Sequence, residues 1–205
     1  MAVAIALLAL ASAAAADPLG PWAAPIAEAS ARFAIPETWI RDVMRIESNG
    51  RLMVDGRPIV SRAGAMGLMQ LMPGTWRAMR ALLGLGGDPQ DPRDNILAGT
   101  LYLRLLYDRF AYPGLFAAYN AGPSRYSAFL AGKRALPLET QAYVRRAGRM
   151  VRQGEQAPSA LFVPAATSLQ PARVPSGAFA AAPAAGMPGG QSALFVPLKA
   201  ERNAR

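Results

Sequence analysis

PETWIRDVMRIES, residues 36–48, is the stretch that decides the fold. Ile40, Val43, Met44 and Glu47 follow the i, i+3, i+4, i+7 spacing that puts four side chains on the buried face of one helix. The proline at its start suits a first helical turn, where its missing N–H and fixed φ are tolerated. Three of the four stripe positions are aliphatic and the fourth is a glutamate. The pattern predicts an amphipathic helix with a carboxyl group on its apolar face.

Glu47 is therefore the candidate catalytic acid. Burying a carboxylate is unfavourable unless the group is neutralised or paired. Desolvation raises its pKa, so that it holds a proton near neutral pH, as a general acid must. The alternative is that the helix is shorter than the pattern and that Glu47 is a solvated residue at its C-terminal end. Periodicity alone leaves both interpretations open.

The residue types that the chain lacks narrow the chemistry. Its 205 residues include no histidine and no cysteine. Ser–His and Cys–His nucleophiles in their usual forms and zinc sites of imidazole or thiolate are thereby excluded, as is a disulfide framework. Carboxylate acid–base chemistry, tyrosine, lysine or a bound cofactor remain, and no motif calls for a cofactor. No metal site is predicted, since Asp88, Asp91 and Asp94 lack calcium-loop spacing and suit turns and caps.

The N-terminal segment predicts export. Residues 1–16 are apolar and alanine-rich without a charged side chain, and they end in three alanines before Asp17. Small residues there suit signal peptidase, and the segment is shorter than the ~20 residues that span a bilayer. We predict a signal peptide cleaved after residue 16, a periplasmic or secreted protein and no stable transmembrane span. The alternative is an uncleaved N-terminal anchor.

The chain is strongly basic, with a formal net charge of +9 and a pI near 10.8. Such a balance favours polyanionic partners, namely nucleic acid, anionic lipid or an acidic wall polymer. Because export is predicted, nucleic acid is not the expected partner. Genome composition is a simpler explanation of the arginine excess than any single binding function.

Helical periodicity continues along the chain to about residue 153. Helices are predicted within residues 26–33, 73–83, 95–111, 124–132 and 139–152, with 113–120 a short apolar segment and 49–63 a loop or small hairpin. These segments predict one all-α domain over residues 19–153.

Beyond residue 153 the composition changes to alanine, proline and glycine. Such a tail, residues 154–205, buries too little apolar surface to offset its ordering entropy and is predicted to be disordered. It contains SALFVP twice, at 159–164 and 192–197. The two copies are either paired docking motifs for a secretion or envelope complex, or a duplication within low-complexity sequence.

Four ordered motifs follow the candidate glutamate and carry a family resemblance. With Glu-Ser at 47–48 they are GLMQLMP at 67–73, DPRDNI at 91–96 with Tyr-Leu at 102–103, AYNAG at 118–122 and ETQAYV at 139–144. Together they resemble the catalytic domain of lytic transglycosylases of the soluble-lytic-transglycosylase type, a lysozyme-like α fold related to goose-type lysozyme. The resemblance covers nearly all of residues 26–151. The compact size also resembles the transglycosylases that accompany type IV secretion and conjugation systems.

The resemblance implies that peptidoglycan glycan strands are the substrate and that Glu47 is the single catalytic acid and base. Ser48 and Gln70 are then expected to contact the sugar or its N-acetyl groups, and Tyr143 to lie near Glu47. One departure is that residues 49–63 are longer than the usual family loop and lack its common Asn-Pro.

Five further positions are implied to shape the cleft. Tyr119 and Asn120 are expected to line it, and Gly67, Leu68 and Met69 to form the wall against which the glycan lies. The reaction implied is cleavage of the bond between N-acetylmuramic acid and N-acetylglucosamine with closure of a 1,6-anhydro ring, without external water.

Two alternatives remain at this stage. The first is a muramidase that hydrolyses the same bond, which would use a second carboxylate to activate water, with Asp55 as the candidate. The second is a non-catalytic wall-binding or assembly protein that works through the SALFVP tail, although such a protein would not need the buried acid Glu47.

Overall fold

The computed structural model describes residues 17–154, with side chains from 17 to 148. Most of this range is helical, so the predicted all-α class is confirmed. A 3-10 turn at Gly20–Trp22 precedes six helices: α1 (Ala23–Phe33), α2 (Glu37–Glu47), α3 (Pro73–Leu83), α4 (Pro92–Ala121), α5 (Pro123–Leu130) and α6 (Leu138–Gly154). The predicted signal peptide and the SALFVP tail lie outside the described residues. Within that range, no helix combines the length and the apolar character needed to cross a membrane.

Helix α2 buries the face that the sequence predicts. Ile40, Val43 and Met44 are completely buried in the core, and each such side chain contributes roughly 1.5–3 kcal/mol of hydrophobic stabilisation. The last turn closes through the Ser48 N–H, which donates to the Met44 carbonyl at 3.1 Å. The chain then reverses through Asn49, whose φ of 53° is left-handed. Glu47 is therefore the final residue of the helix, on the turn that faces the rest of the domain.

The N-terminal residues brace the turn that follows α2. The Trp22 indole N–H donates to the Gly50 carbonyl at 2.9 Å, and Leu19 is completely buried. A side chain at Gly50 would lie 2.5 Å from the carbonyl oxygen of Pro18, so only glycine permits this approach. The segment before α1 thus fixes the backbone immediately after Glu47.

Residues 49–63 contain a small hairpin, one of the two structures expected there. Strands β1 (Met53–Val54) and β2 (Arg57–Pro58) pair antiparallel, with Met53 opposite Pro58 and Val54 opposite Arg57. Asp55 and Gly56 connect them with φ values of 52° and 73°. Two positive φ angles are the requirement of a type I′ turn, for which Asp-Gly is a preferred sequence.

Helix α4 is the centre of the domain and packs against α1, α3, α5 and α6. Ala111 and Tyr112 have non-helical φ and ψ angles immediately before Pro113, so α4 consists of two helical segments joined at a kink. This position confirms the break that the sequence predicts between residues 111 and 113. Buried residues of both segments complete the core, among them Leu97, Leu103, Leu106, Leu115 and Phe116.

Candidate active site

Glu47 and Tyr143 meet where the C-terminal end of α2 packs against α6. The Tyr143 hydroxyl donates a hydrogen bond to Glu47 Oε1 at 2.8 Å. Tyr143 is buried, whereas Glu47 keeps a partial exposure to solvent. Among the described residues, Glu47 Oε2 has no hydrogen-bond partner. The carboxyl group is thus partly enclosed rather than freely solvated, with one oxygen held by the protein and the other open to a ligand.

The surroundings of Glu47 favour its protonated form. Burial raises the pKa of Glu47 from 4.5 to about 8, since desolvation penalises the charged carboxylate. The Tyr143 hydrogen bond and the positive charge of Arg146 lower this pKa, while the negative charge of Glu139 raises it. Glu139, Tyr143 and Arg146 are spaced i, i+4, i+7, so one face of α6 provides all three influences. With a pKa of about 8, Glu47 holds a proton at pH 7.

The loop of residues 67–70 is fixed beside this pair by three side chains, one from the residue that follows α2 and two from α4. The Ser48 hydroxyl donates to the Leu68 carbonyl at 2.8 Å. The Asn95 side-chain oxygen accepts from the Met69 N–H at 2.8 Å. The Tyr119 hydroxyl donates to the Met69 carbonyl at 2.7 Å. The ends of α2 and α4 and the first turn of α4 together set the position of the loop.

Tyr119 also belongs to the electrostatic environment of Glu47. Burial raises the pKa of Tyr119 well above its ordinary value, and the charge of Glu47 raises it further. Its ring packs 5.4 Å from that of Tyr102. Tyr119 therefore stays protonated and acts as a hydrogen-bond donor. The neighbouring Asn120 is partly exposed, and its amide has no hydrogen-bond partner among the described residues.

Gln70 lies at the exposed side of the fixed loop. Its side-chain N–H donates to the Gly67 carbonyl at 2.9 Å. The side-chain oxygen has no partner among the described residues, and the residue is partly exposed. With Asn120 and Glu47 Oε2, Gln70 supplies polar atoms that the fold leaves available for a ligand.

Three predicted contact residues lie elsewhere than the sequence suggested. Leu68 and Met69 are completely buried, and their side chains belong to the core rather than to a cleft wall. Ser48 is 3% exposed, and its hydroxyl is committed to the Leu68 carbonyl and the Gly50 N–H. A buried and fully bonded hydroxyl does not reach a sugar. Ser48 positions the backbone between Glu47 and the loop, because the loop packs directly onto the end of α2.

Gly67 is required by packing rather than by a ligand. Its φ is 75°, and a Cβ there would lie 2.3 Å from the Asn95 side-chain nitrogen. That nitrogen donates to the carbonyls of Pro89 at 2.9 Å and Met66 at 3.2 Å. The absence of a side chain lets Asn95 approach the loop, which in turn holds Met69.

Asn95 is the structurally important residue that the sequence interpretation left without a role. It is completely buried and makes its hydrogen bonds from the first turns of α4. A signal was present, because Asn95 precedes Gly99 and Leu103 at i, i+4, i+8 on an otherwise apolar face. Asn95 is a polar residue on an apolar helix face, which is the same criterion that identifies Glu47.

The other carboxylates considered from sequence have local roles. Asp91 is the N-cap of α4 and accepts from the Asp94 N–H at 2.8 Å, and Asp94 accepts from the Gly86 N–H at 2.8 Å. Asp88 accepts from the Gln90 N–H at 2.8 Å within a turn. These contacts confirm the predicted turn and cap functions. Asp55 is exposed at the hairpin tip, where its left-handed φ is explained by the turn.

Helix ends and a fixed loop thus surround one glutamate that is protonated at pH 7, an arrangement that suits general acid–base chemistry. The family pattern described as "Transglycosylase SLT domain" matches residues 24–138. The chain belongs to this family.

Curated relatives carry related descriptions. The chain is 38% identical over 117 residues to the soluble lytic murein transglycosylase of Escherichia coli (strain K12). The aligned region covers 54% of this chain and 17% of that protein. It is 35% identical over 115 residues to the membrane-bound lytic murein transglycosylase C of Haemophilus influenzae (strain PittGG), covering 47% and 30%. The matched region is thus less than a third of the length of either relative.

Solved structures show the same fold. The 70 kDa soluble lytic transglycosylase of Escherichia coli superposes with a TM-score of 0.56 and 30% identity over 65% of this chain and 24% of that one. An inactive mutant of the lytic transglycosylase Slt of Pseudomonas aeruginosa gives 0.55 and 27% identity over 67% and 25%. The lysozyme-like fold expected from the sequence is confirmed by these neighbours.

Proposed function

We propose that this protein is a peptidoglycan lytic transglycosylase in which Glu47 acts first as acid and then as base. The observation that carries the proposal is the enclosed Glu47 carboxyl group, protonated at pH 7, with Oε1 held by Tyr143 and Oε2 open to a ligand. Membership of the transglycosylase family and the named murein transglycosylases among its relatives support the same substrate.

In the first step, Glu47 Oε2 donates its proton to the oxygen that links N-acetylmuramic acid to N-acetylglucosamine. The bond from the muramic C1 to that oxygen breaks, and N-acetylglucosamine leaves with a hydroxyl group. Positive charge develops at C1, where the N-acetyl oxygen of the muramic residue can share it. Tyr143 stabilises the glutamate anion that forms, because its hydroxyl already donates to Oε1 at 2.8 Å.

In the second step, the ionised Glu47 takes the proton of the muramic 6-hydroxyl as its oxygen bonds to C1. The 1,6-anhydro ring closes and Glu47 regains its proton, so atoms and charge balance without external water. A general acid and base works best with a pKa near the working pH, and the raised pKa of Glu47 suits both steps. A hydrolase would use a second carboxylate to activate water, and Asp55, the candidate from the sequence, is exposed at the tip of the hairpin.

Available polar groups surround the reacting carboxyl group. We assign the Gln70 oxygen and the Asn120 amide to the sugar or its N-acetyl groups, because neither has a hydrogen-bond partner among the residues that the structure describes. Tyr119 lines the same region while its hydroxyl holds the Met69 carbonyl. Gly67, Leu68 and Met69 contribute backbone rather than side chains to the glycan-binding wall. Ligand contacts are thus assigned to the side chains of Gln70 and Asn120, whereas the sequence predicts a wall formed by residues 67–69.

The domain and its location are proposed on sequence grounds. The domain is assigned to residues 19–153, a range that contains the family match at 24–138 and all but the last residue of α6. Export to the periplasm or beyond rests on the apolar residues 1–16. Assembly with a secretion or envelope complex through the SALFVP copies stays a prediction.

The test is mass spectrometry of fragments released from purified peptidoglycan. Wild-type protein should release muropeptides one water lighter than hydrolysis products, without new reducing ends. Glu47→Gln keeps the shape and the Tyr143 acceptor but cannot transfer a proton, so release should fall by roughly 10²–10⁴-fold. Glu37→Gln, the same change at the other end of α2, is the control and should retain activity.

Two results would contradict the proposal. New reducing ends would show hydrolysis of the same bond, and Asp55 would be the next residue to substitute. Full activity of Glu47→Gln would remove Glu47 from the chemistry.

A further inference from the structure

The segment that joins α5 to α6 is an exposed tip of the domain. Residues 129–135 are exposed without interruption, and no residue of α5 is buried. The backbone of this segment is nevertheless fixed, because the N–H groups of Ala131, Gly132 and Lys133 donate to carbonyls of residues 127–129 at 3.0, 2.9 and 2.9 Å. The tip segment, residues 129–138, is therefore a defined protrusion of the fold.

Large apolar side chains of the tip segment face water. Phe129 is 39% exposed, Leu130 60% and Leu138 81%. Within the described residues, Leu138 and Leu130 are the two most exposed large hydrophobic side chains. Exposed apolar surface of this kind is unfavourable in water, and where several such residues occur together they mark an interaction surface.

The fold itself does not require these apolar side chains. Helix α5 is attached to α4 through Tyr126, whose ring packs edge to face 5.1 Å from that of Phe110. Phe129 stacks on the outer side of this pair, 6.0 Å from the Tyr126 ring. Leu130 and Leu138 pack against no part of the core cluster. The attachment of α5 thus holds Phe129 in place and leaves both leucines available.

Positive charge accompanies the apolar side chains. Lys133 and Arg134 are exposed, and within the described part of the chain they contact no carboxylate and make no side-chain hydrogen bond. No acidic residue occurs between Asp108 and Glu139. Arginine on the neighbouring helix is paired instead, since Arg104 lies 2.7 Å from Asp108. The tip segment is therefore both apolar and cationic, and its cations are not used by the fold.

This combination on a protrusion suits one kind of partner in particular. An anionic lipid bilayer presents phosphate groups at its surface and a continuous apolar layer directly beneath them, and it deforms around a protruding segment. A carboxylate-bearing wall polymer would match the two cations but offers no continuous apolar layer for Leu130 and Leu138. A protein partner would need a groove complementary to the protrusion.

We propose that the tip segment binds the surface of an anionic lipid bilayer, with Lys133 and Arg134 at the lipid phosphates and the three apolar side chains against the acyl chains. Such binding is peripheral and needs no helix that crosses the membrane. Leu138 begins α6 and lies five residues before Tyr143, about 7.5 Å along the helix. The bound domain would therefore hold the Glu47 site close to the membrane surface.

A site-specific fluorescent label tests where the chain meets the bilayer. Because the chain contains no cysteine, a single introduced cysteine can carry a polarity-sensitive fluorophore. Ala131→Cys places the label on the tip, and Ala81→Cys places it at an exposed position of α3. With vesicles of equal phosphatidylglycerol and phosphatidylcholine, emission of the tip label should shift to shorter wavelength, and that of the α3 label should not. Phosphatidylcholine vesicles should shift neither.

Substitutions test which side chains are responsible. Lys133→Gln with Arg134→Gln should weaken binding to the mixed vesicles about 30-fold at low salt, since each basic residue near an anionic surface contributes about fivefold. The difference should shrink at high salt, which screens charge. Leu130→Gln with Leu138→Gln should weaken binding about tenfold at either salt concentration.

The hairpin of residues 53–62 provides matched controls. Arg57→Gln with Arg62→Gln removes two exposed charges, and Met53→Gln with Val60→Gln removes two exposed apolar side chains. Both control variants should bind the mixed vesicles as wild type does. Melting temperatures within a few degrees of wild type would show that all variants are folded. Full-length chains are compared, so residues outside each substitution are identical.

Three results would overturn the proposal. The first is an unchanged emission of the tip label, or equal shifts of the tip and α3 labels. The second is an equal effect of the tip and hairpin variants on vesicle binding. The third is weaker co-sedimentation of the Lys133 and Arg134 variant with insoluble peptidoglycan while its vesicle binding is unchanged, which would assign the surface to the wall polymer. None of these measurements requires turnover, so a failure of the proposed Glu47 chemistry would leave their interpretation intact.

Discussion

Glu47→Gln should change the pH dependence of stability in a direction and by an amount that the structure defines. In wild type the pKa of Glu47 is about 8 when folded, against 4.5 for an unperturbed glutamate. Between these values the folded state holds a proton that the unfolded state has released, so stability is greatest below pH 4.5 and falls as pH rises toward 8. At pH 7 the folded state has lost about 3 kcal/mol of stability. This value corresponds to the roughly 2.5 pH units between pH 4.5 and pH 7, at about 1.36 kcal/mol per pH unit.

Glutamine does not titrate, so the variant lacks this loss. Its side-chain oxygen still accepts from Tyr143, and its volume is nearly that of the protonated acid. The difference in free energy of unfolding between Glu47→Gln and wild type should therefore increase by about 3 kcal/mol in favour of the variant from pH 4 to pH 7. Above pH 8 the increase should level off near 5 kcal/mol, because the pKa of Glu47 differs by about 3.5 between the folded and unfolded states.

The assay is urea denaturation of both proteins at half-unit intervals from pH 4 to pH 9. Glu37→Gln is the control, because Glu37 lies at the exposed start of the same helix and pairs with Arg41. Its difference from wild type should stay within about 1 kcal/mol over the range. If the Glu47→Gln difference were equally flat, Glu47 would titrate as a solvated carboxyl group. Glu47 would then be ionised at pH 7 and could not act as the proposed acid.

Three further predictions address single contacts. Tyr143→Phe removes the donor that lowers the pKa of Glu47, so the alkaline limb of the rate profile should move to higher pH while kcat falls about tenfold. Asp42→Asn should gain about 3 kcal/mol relative to wild type between pH 3.5 and pH 7, as measured by denaturation, because burial raises the pKa of Asp42 from 3.8 to about 6. Gly67→Ala should cost about 2–4 kcal/mol in the same assay, since it adds a clash to a left-handed φ. Gly64→Ala, with a similar φ and open space, should cost only about 1 kcal/mol.

The burial of Asp42 could not be predicted from the helical periodicity of α2. The periodicity of α2 accounts for Ile40, Val43 and Met44, and all three are buried as predicted. Asp42 lies off that stripe, yet it is 2% exposed, and its Oδ2 has no hydrogen-bond partner within the described part of the chain. Its burial arises from the elements that pack around α2, and no local pattern in the sequence contains that information.

The loop of residues 67–70 shows a different limit. The segment is recognisable in the sequence because its glycine and Gln70 occur in the same order as in the family motif. It could not distinguish a residue that contacts a ligand from one that holds the backbone, since both uses require the same amino acids. The family resemblance predicts ligand contacts for Ser48, Leu68 and Met69, and the structure places all three in the interior.

The sequence by itself determined the helical class, the apolar stripe of α2 and the break before Pro113. It also determined that an acidic residue, Glu47, lies on that apolar stripe. These features depend on periodicity and on the fixed conformational preferences of proline and glycine, which act over a few neighbouring residues. Only the tertiary structure decided the protonation state and the hydrogen bonding of the Glu47 carboxyl group. Tyr143 lies 96 residues further along the chain and donates to Glu47 at 2.8 Å. Desolvation and through-space charge depend on which surfaces meet, and that is fixed only when α2, α4 and α6 pack together.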